Sequence, residues 1–293
     1  MLLLMALSAC AVLPSPAERR AHADALASAR GWQASLWSAG TFELLAYTPP
    51  LPAAGSESRD TLTVYIEGDG LAWVTSSQPS GDPTPRAPLA LQLALAHPAG
   101  PAAYLARPCQ YTMPHPGSGR GCDVAYWTQR RFAPEVVQAE SLALDALKHR
   151  WSARRLVLVG YSGGGAVAAL LAARRDDVAA LVTVAGNLDH AAWTRLHGVP
   201  PLTGSLNPAD ERAALARIPQ WHLVGADDRV VPPAVAQAYA AGFPPGQSPR
   251  VMVLPGQDHG CCWAARWPTL WRDFVGIQPN PADLKIDGSP SRR

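Results

Sequence analysis

Ser162 stands where an apolar run meets a cluster of glycines: Leu156-Val157-Leu158-Val159-Gly160-Tyr161-Ser162-Gly163-Gly164-Gly165 continues into Ala166-Val167-Ala168-Ala169-Leu170-Leu171. The run reads as strand, sharp turn and helix. Small residues on both sides of a serine let neighbouring backbone approach closely, so the turn can lift the hydroxyl clear of a sheet. In a chain with 24 glycines the pattern alone would also fit a flexible turn, but its place between an apolar strand and a helix selects Ser162 as a candidate nucleophile. A serine hydroxyl is weakly nucleophilic at neutral pH. It needs an imidazole to take its proton and an acid to orient that imidazole.

Those partners must come from other strand ends. Asp227 and Asp228 follow the apolar segment ending at Gly225, and His259 lies in Gly256-Gln257-Asp258-His259-Gly260, after the strand pattern Arg250 to Leu254 and before the last helical one. His22, His97 and His149 sit on or beside helical patterns, His115 lies in a Pro/Gly loop, and His190 and His197 lack metal-ligand clustering. No metal or organic cofactor is implied. Protonation would remove His259 as a base, so activity is expected to fall in acid.

The elements that must position these groups alternate. Strand patterns at 62–67, 103–107, 156–160, 180–185, 222–225 and 250–254 are interleaved with helical patterns at 88–96, 134–151, 164–174, 209–217, 233–241 and 262–275. A short alanine-rich helix is expected over 17–30, and Phe42 to Tyr47 reads as an edge strand. Pro134 in a first turn, with Val137, Leu142, Leu144 and Leu147 giving an apolar side, makes 134–151 the clearest helix. Right-handed crossovers put the C-terminal strand ends along one edge, where ligands of open α/β sheets bind.

A glycine-flanked serine on a strand-to-helix turn, followed in chain order by an acid and a histidine, resembles the α/β-hydrolase family over roughly Thr61 to Gly276. The resemblance implies an α/β-hydrolase fold: a mostly parallel central sheet, helices on both faces, and a small cap segment, here 187–217. Within Gly225-Ala226-Asp227-Asp228-Arg229-Val230-Val231-Pro232 it selects Asp228 as the acid, with Asp227 as the alternative. It implies an oxyanion hole built from the Gly163 N–H and a second donor in Ile66-Glu67-Gly68-Asp69-Gly70, namely Asp69, with Gly70 as runner-up. Glu67 in place of the family's histidine and the acid at Asp69 are departures. The stretch from Tyr65 to Trp73, with Asp82-Pro83-Thr84-Pro85-Arg86 beyond it, is similar to a bacterial subgroup of lipoprotein hydrolases. The implied activity is cleavage of a small-molecule or lipid carboxylic ester through an acyl-enzyme. A thioesterase, a peptidase and a non-catalytic envelope-binding lipoprotein are its rivals.

Composition fits one large domain: 293 residues, 48% hydrophobic, 16% charged, net charge +2. No basic stripe with interleaved aromatics appears, so nucleic acid is not an expected partner. Met1 to Leu13 is apolar and too short to span a bilayer. Its Leu7-Ser8-Ala9-Cys10 resembles the bacterial lipobox, which implies a signal peptide over 1–9, acylation of Cys10, and a lipid-anchored protein on the periplasmic side of the outer membrane. Residues 10–40 then read as a lipidated N-terminus and linker, 41–277 as the hydrolase domain, and 278–293 as a disordered tail. Export favours disulfides. Cys109 and Cys122 bracket a Pro/Gly-rich loop and are the expected pair, which leaves Cys261 and Cys262 as a vicinal disulfide or two buried thiols.

Overall fold

The computed structural model describes residues 13–51, 60–115 and 117–275. Cys10 and the 278–293 tail lie outside the described residues. Eight strands form one open sheet: β1 (Gln33–Ala39), β2 (Phe42–Thr48), β3 (Thr61–Ile66), β4 (Ala102–Leu105), β5 (Arg155–Tyr161), β6 (Val178–Val184), β7 (Gln220–Gly225) and β8 (Arg250–Leu254). Their spatial order is β1-β2-β4-β3-β5-β6-β7-β8, with β2 antiparallel to both its neighbours, β1 and β4, and every pairing from β4 to β8 parallel.

Eight helices accompany them among the described residues: α1 (Pro16–Ser28), α2 (Leu89–Leu95), α3 (Pro134–Trp151), α4 (Gly163–Arg174), α5 (His190–His197), α6 (Arg212–Leu215), α7 (Pro233–Ala241) and α8 (Trp263–Val275). Alternation along the strands builds two cores. Leu62, Val64, Ile66, Leu156 and Leu158 face α3 and α4, whereas Tyr65, Val157, Val159 and Val182 face α1, α2 and α8. None of the described helices is long and apolar enough to cross a membrane.

Two expectations are corrected. Phe42–Thr48 is an interior strand, and the edge belongs to β1, joined to β2 by a two-residue turn with Gly40 at φ +63°. Gln33–Ala39 has few branched apolar residues and is largely exposed, so its strand character comes from pairing rather than from composition. The domain also begins before residue 41, because Ala23 and Ala27 of α1 are buried against the sheet's second core. Cys109 and Cys122 are bridged with Cα atoms 5.6 Å apart. Cys261 and Cys262 are joined to each other and exposed, unlike two buried thiols.

Chain order makes the site. From β3 the chain crosses to β4 on one side and returns to β5 on the other, so the direction of winding reverses between β3 and β5. Loops leaving those two strands diverge there and leave a crevice. The crevice is bounded by Glu67–Leu71 after β3 and by Ser162 after β5.

Candidate active site

Ser162 has φ 51° and ψ −120°, a conformation that non-glycine residues rarely adopt. Hydrogen bonds over-determine it. Its N–H donates to the Val184 carbonyl, and its own carbonyl accepts from Gly165 and Asn187, each at 3.0 Å. The turn is tight because α4 starts against the neighbouring loop: a Cβ on Gly164 would run into the carbonyl oxygens of Ile66 and Glu67. That contact explains the glycine two residues after the serine.

The His259 imidazole bridges two of the candidate residues. Nε2 lies 3.1 Å from Ser162 Oγ, and Nδ1 lies 2.8 Å from Asp228 Oδ2. With Nδ1–H donated to the carboxylate, Nε2 is left to accept the serine proton. Asp228 is buried, and its Oδ1 accepts the N–H groups of Val230 and Val231, both at 2.8 Å, so the acid cannot turn away. Asp227 is exposed and contributes only its backbone, donating to the Gln257 carbonyl. The histidine loop is pinned as well: Tyr161 Oη donates to the His259 carbonyl at 3.1 Å, and Asp258 Oδ1 caps Gly260 and Cys261.

Across the crevice, a Cβ on Gly68 would lie 3.2 Å from Ser162 Cβ, which brings the loop carrying Asp69 and Gly70 over the serine. The N–H groups of Gly163, Asp69 and Gly70 donate to no protein acceptor among the described residues. The Asp69 carboxylate lies so close to Gly163 that any Cβ there would collide with it. It is neutralised by two arginines that sequence reasoning missed. Arg131 Nη1 donates to Oδ2 at 2.7 Å and Arg107 Nη1 to Oδ1 at 3.4 Å. Arg107 is buried and also pairs with Glu140 at 3.6 Å. Burial pushes the Glu140 carboxyl up to about 8, although the Arg107 charge pulls it down.

Glu67, at the position of the family's histidine, is a buried anchor. Its Oε1 accepts from Gly68 N–H at 2.9 Å and Ala90 N–H at 3.3 Å, and Oε2 accepts from Tyr104 Oη at 3.2 Å. Burial raises its carboxyl to about 7, against those hydrogen bonds. The proline-rich stretch has a related role. Leu71 N–H donates to the Pro83 carbonyl at 3.0 Å, while Arg19 of α1 pairs with Asp82 at 3.5 Å and donates to the Thr84 carbonyl.

A cavity of about 440 Å³ opens over Ser162 and His259. Asn187 and Trp193, from the segment expected as a cap, line it, while Leu202, Ala209 and Leu215 of the same segment join the core behind α4. Trp193 is held by donation from Nε1 to the Val230 carbonyl at 2.6 Å. Arg107 at the end of β4 and Asn187 after β6 obey the strand-end rule and could have been sought there. Arg131, in the loop before α3, carries no such signal. Among the described residues no group of three or more His, Cys, Asp or Glu side chains is gathered as a metal site.

No protein-family model matches the chain, and no curated protein matches it in sequence. Solved structures do. An alpha-beta serine hydrolase homologue from Coxiella burnetii is 18% identical with a TM-score of 0.54, covering 84% of this chain and 97% of its own. The esterase domain of a Rhodothermus marinus protein is 15% identical with a TM-score of 0.52, covering 84% and 99%. An acylaminoacyl peptidase from Pyrococcus horikoshii is 11% identical with a TM-score of 0.56, covering 89% of this chain and 43% of that one. Likeness in fold over most of the chain, at identities this low, establishes architecture alone: the chain has the α/β-hydrolase fold.

Proposed function

We propose that the protein is a serine hydrolase that cleaves a carboxylic ester through an acyl-enzyme on Ser162. The observation that carries this reading is the single imidazole within hydrogen-bond distance of both Ser162 Oγ and Asp228. In the first step Ser162 Oγ bonds to the ester carbon while its proton passes to His259 Nε2. The C–O bond to the leaving alcohol then breaks as that proton is returned to the leaving oxygen. Water deacylates the serine by the same route, its proton passing through His259 back to Oγ, and the carboxylic acid departs. Gly163 N–H and a second N–H from Asp69, with Gly70 as the alternative, hold the developing oxyanion, each donor worth about 2.7–4 kcal/mol. Clamping the Asp69 carboxylate with two arginines removes the repulsion it would otherwise exert there.

A fluorophosphonate probe tests the proposal. Labelling of the wild type and none of Ser162→Ala is expected, and an unlabelled but folded wild type overturns it. Amide cleavage is the second reading, favoured by the likeness in fold to an acylaminoacyl peptidase. Matched ester and anilide substrates separate the two.

The reading also places the domain at the bacterial envelope through lipid on Cys10. Its support is the Leu7-Ser8-Ala9-Cys10 order and the Cys109–Cys122 bridge, which suits an oxidising compartment. Incorporation of a palmitate analogue that is lost in Cys10→Ser is the expected result; equal incorporation in both contradicts it.

A further inference from the structure

The cavity over Ser162 has polar capacity that the chemistry above leaves unused. Both acids in its wall are committed. Asp69 accepts from Arg107 and Arg131, and Glu67 accepts from two backbone N–H groups and a tyrosine. Neither is free to receive a substrate cation.

The opposite holds for donors. Arg86 lines the cavity as an exposed guanidinium and makes no ion pair or hydrogen bond among the described residues. Asn187 lines it too and is only 3% exposed. Its backbone N–H donates to the Ser162 carbonyl at 3.0 Å, so the side chain leaves the chain one hydrogen bond away from the nucleophile. The Asn187 Oδ1 is buried without a partner, and no protein acceptor among the described residues takes its amide hydrogens. The amide hydrogens, donated to no protein group, are the part of Asn187 left for a ligand's acceptor. Trp73 and Trp193 add flat apolar wall to the same space.

We propose that the substrate is an anionic ester, its carboxylate or similar oxyanion group held by Arg86 and its polar atoms near the scissile carbonyl hydrogen-bonded by Asn187. The inference rests on the Ser162 reading and deepens it. A cationic ester finds no uncommitted acid in this wall. A purely aliphatic one covers Asn187 without satisfying it and leaves Arg86 unused. Guanidinium recognises carboxylate through paired, charge-assisted hydrogen bonds, which suits a residue standing at the rim rather than at the reacting carbon.

The test compares kcat/KM for pairs of esters that differ by one carboxylate. One pair is p-nitrophenyl hexanoate and the p-nitrophenyl half-ester of adipic acid; the other is phenyl hexanoate and 3-carboxyphenyl hexanoate, which moves the carboxylate to the leaving group. The wild type is expected to favour the anionic member of at least one pair by about tenfold, and by less in about 0.5 M salt. Arg86→Gln should lower that ratio about tenfold, mainly through KM. Asn187→Asp keeps the shape, adds a like charge, and should lower it again; melting temperatures establish that both variants fold. A ratio unchanged in Arg86→Gln, or a wild type that favours the neutral member of both pairs, overturns the inference while Ser162-dependent hydrolysis stands. If Ser162→Ala hydrolyses all four esters as fast as the wild type, the Ser162 reading fails and this inference with it.

Discussion

The two walls of the cavity are held by different forces. On the Ser162 side, backbone packs on backbone: α4 begins so close to the end of β3 that Gly164 has no room for a methyl group, and hydrogen bonds from Gly165 and Asn187 lock the serine carbonyl. On the Asp69 side the loop is tied by charge, its carboxylate held by arginines 38 and 62 residues away and its first residue, Glu67, buried with a raised carboxyl. A wall of the first kind is decided locally by residue size. A wall of the second kind exists only once distant parts of the chain have come together, and it carries the pH dependence of buried acids.

Substitutions on each side should therefore fail differently. The largest effect belongs to the acid behind the imidazole: Asp228→Asn is expected to reduce kcat about 10³- to 10⁴-fold, with Asp227→Asn close to wild type in the same steady-state assay. The reverse order would move the acid role to the exposed neighbour. Next comes the charged wall. Arg107→Met leaves Asp69 one partner short and Glu140 with none, and should lower unfolding free energy by about 3–5 kcal/mol in urea titrations. A loss under about 1 kcal/mol would mean that charge does not hold this loop.

Glu67 supplies a pH signature. Its carboxyl, raised by burial to about 7, keeps in the folded state a proton that the unfolded chain gives up near its ordinary 4.5. Stability should fall as pH rises between those values, by about 3 kcal/mol in all. Glu140 acts with the same sign up to about 8. In Glu67→Gln the decline of the urea midpoint between pH 5 and 8 should be visibly shallower, and an unchanged slope would contradict the assignment. The smallest effect is steric: Gly164→Ala should cost about 1–3 kcal/mol with no pH dependence, read from the same titrations. A pH-dependent loss there would blur the distinction between the walls.

This division also explains what could be read from the chain. Ser162, His259 and the strands beneath them follow from periodicity and from glycine and proline placement, which are local signals. Asp228 needed the family resemblance, because two adjacent carboxylates have the same composition and only the folded loop turns one inward. The acid at position 69 stands out in the sequence as a departure, but the arginines that neutralise it do not. Nothing near Arg107 or Arg131 in sequence announces a shared carboxylate. The exposed β1 edge escaped for the parallel reason that its order comes from its partner strand.

The proposed hydrolase chemistry stands or falls with a covalent intermediate on Ser162. Mixing the wild type with an activated ester, quenching in acid within milliseconds and weighing the peptide that carries Ser162 should reveal that peptide plus one acyl group, absent from Ser162→Ala. Rapid turnover of the ester with no added mass on that peptide, at any quench time, would contradict it.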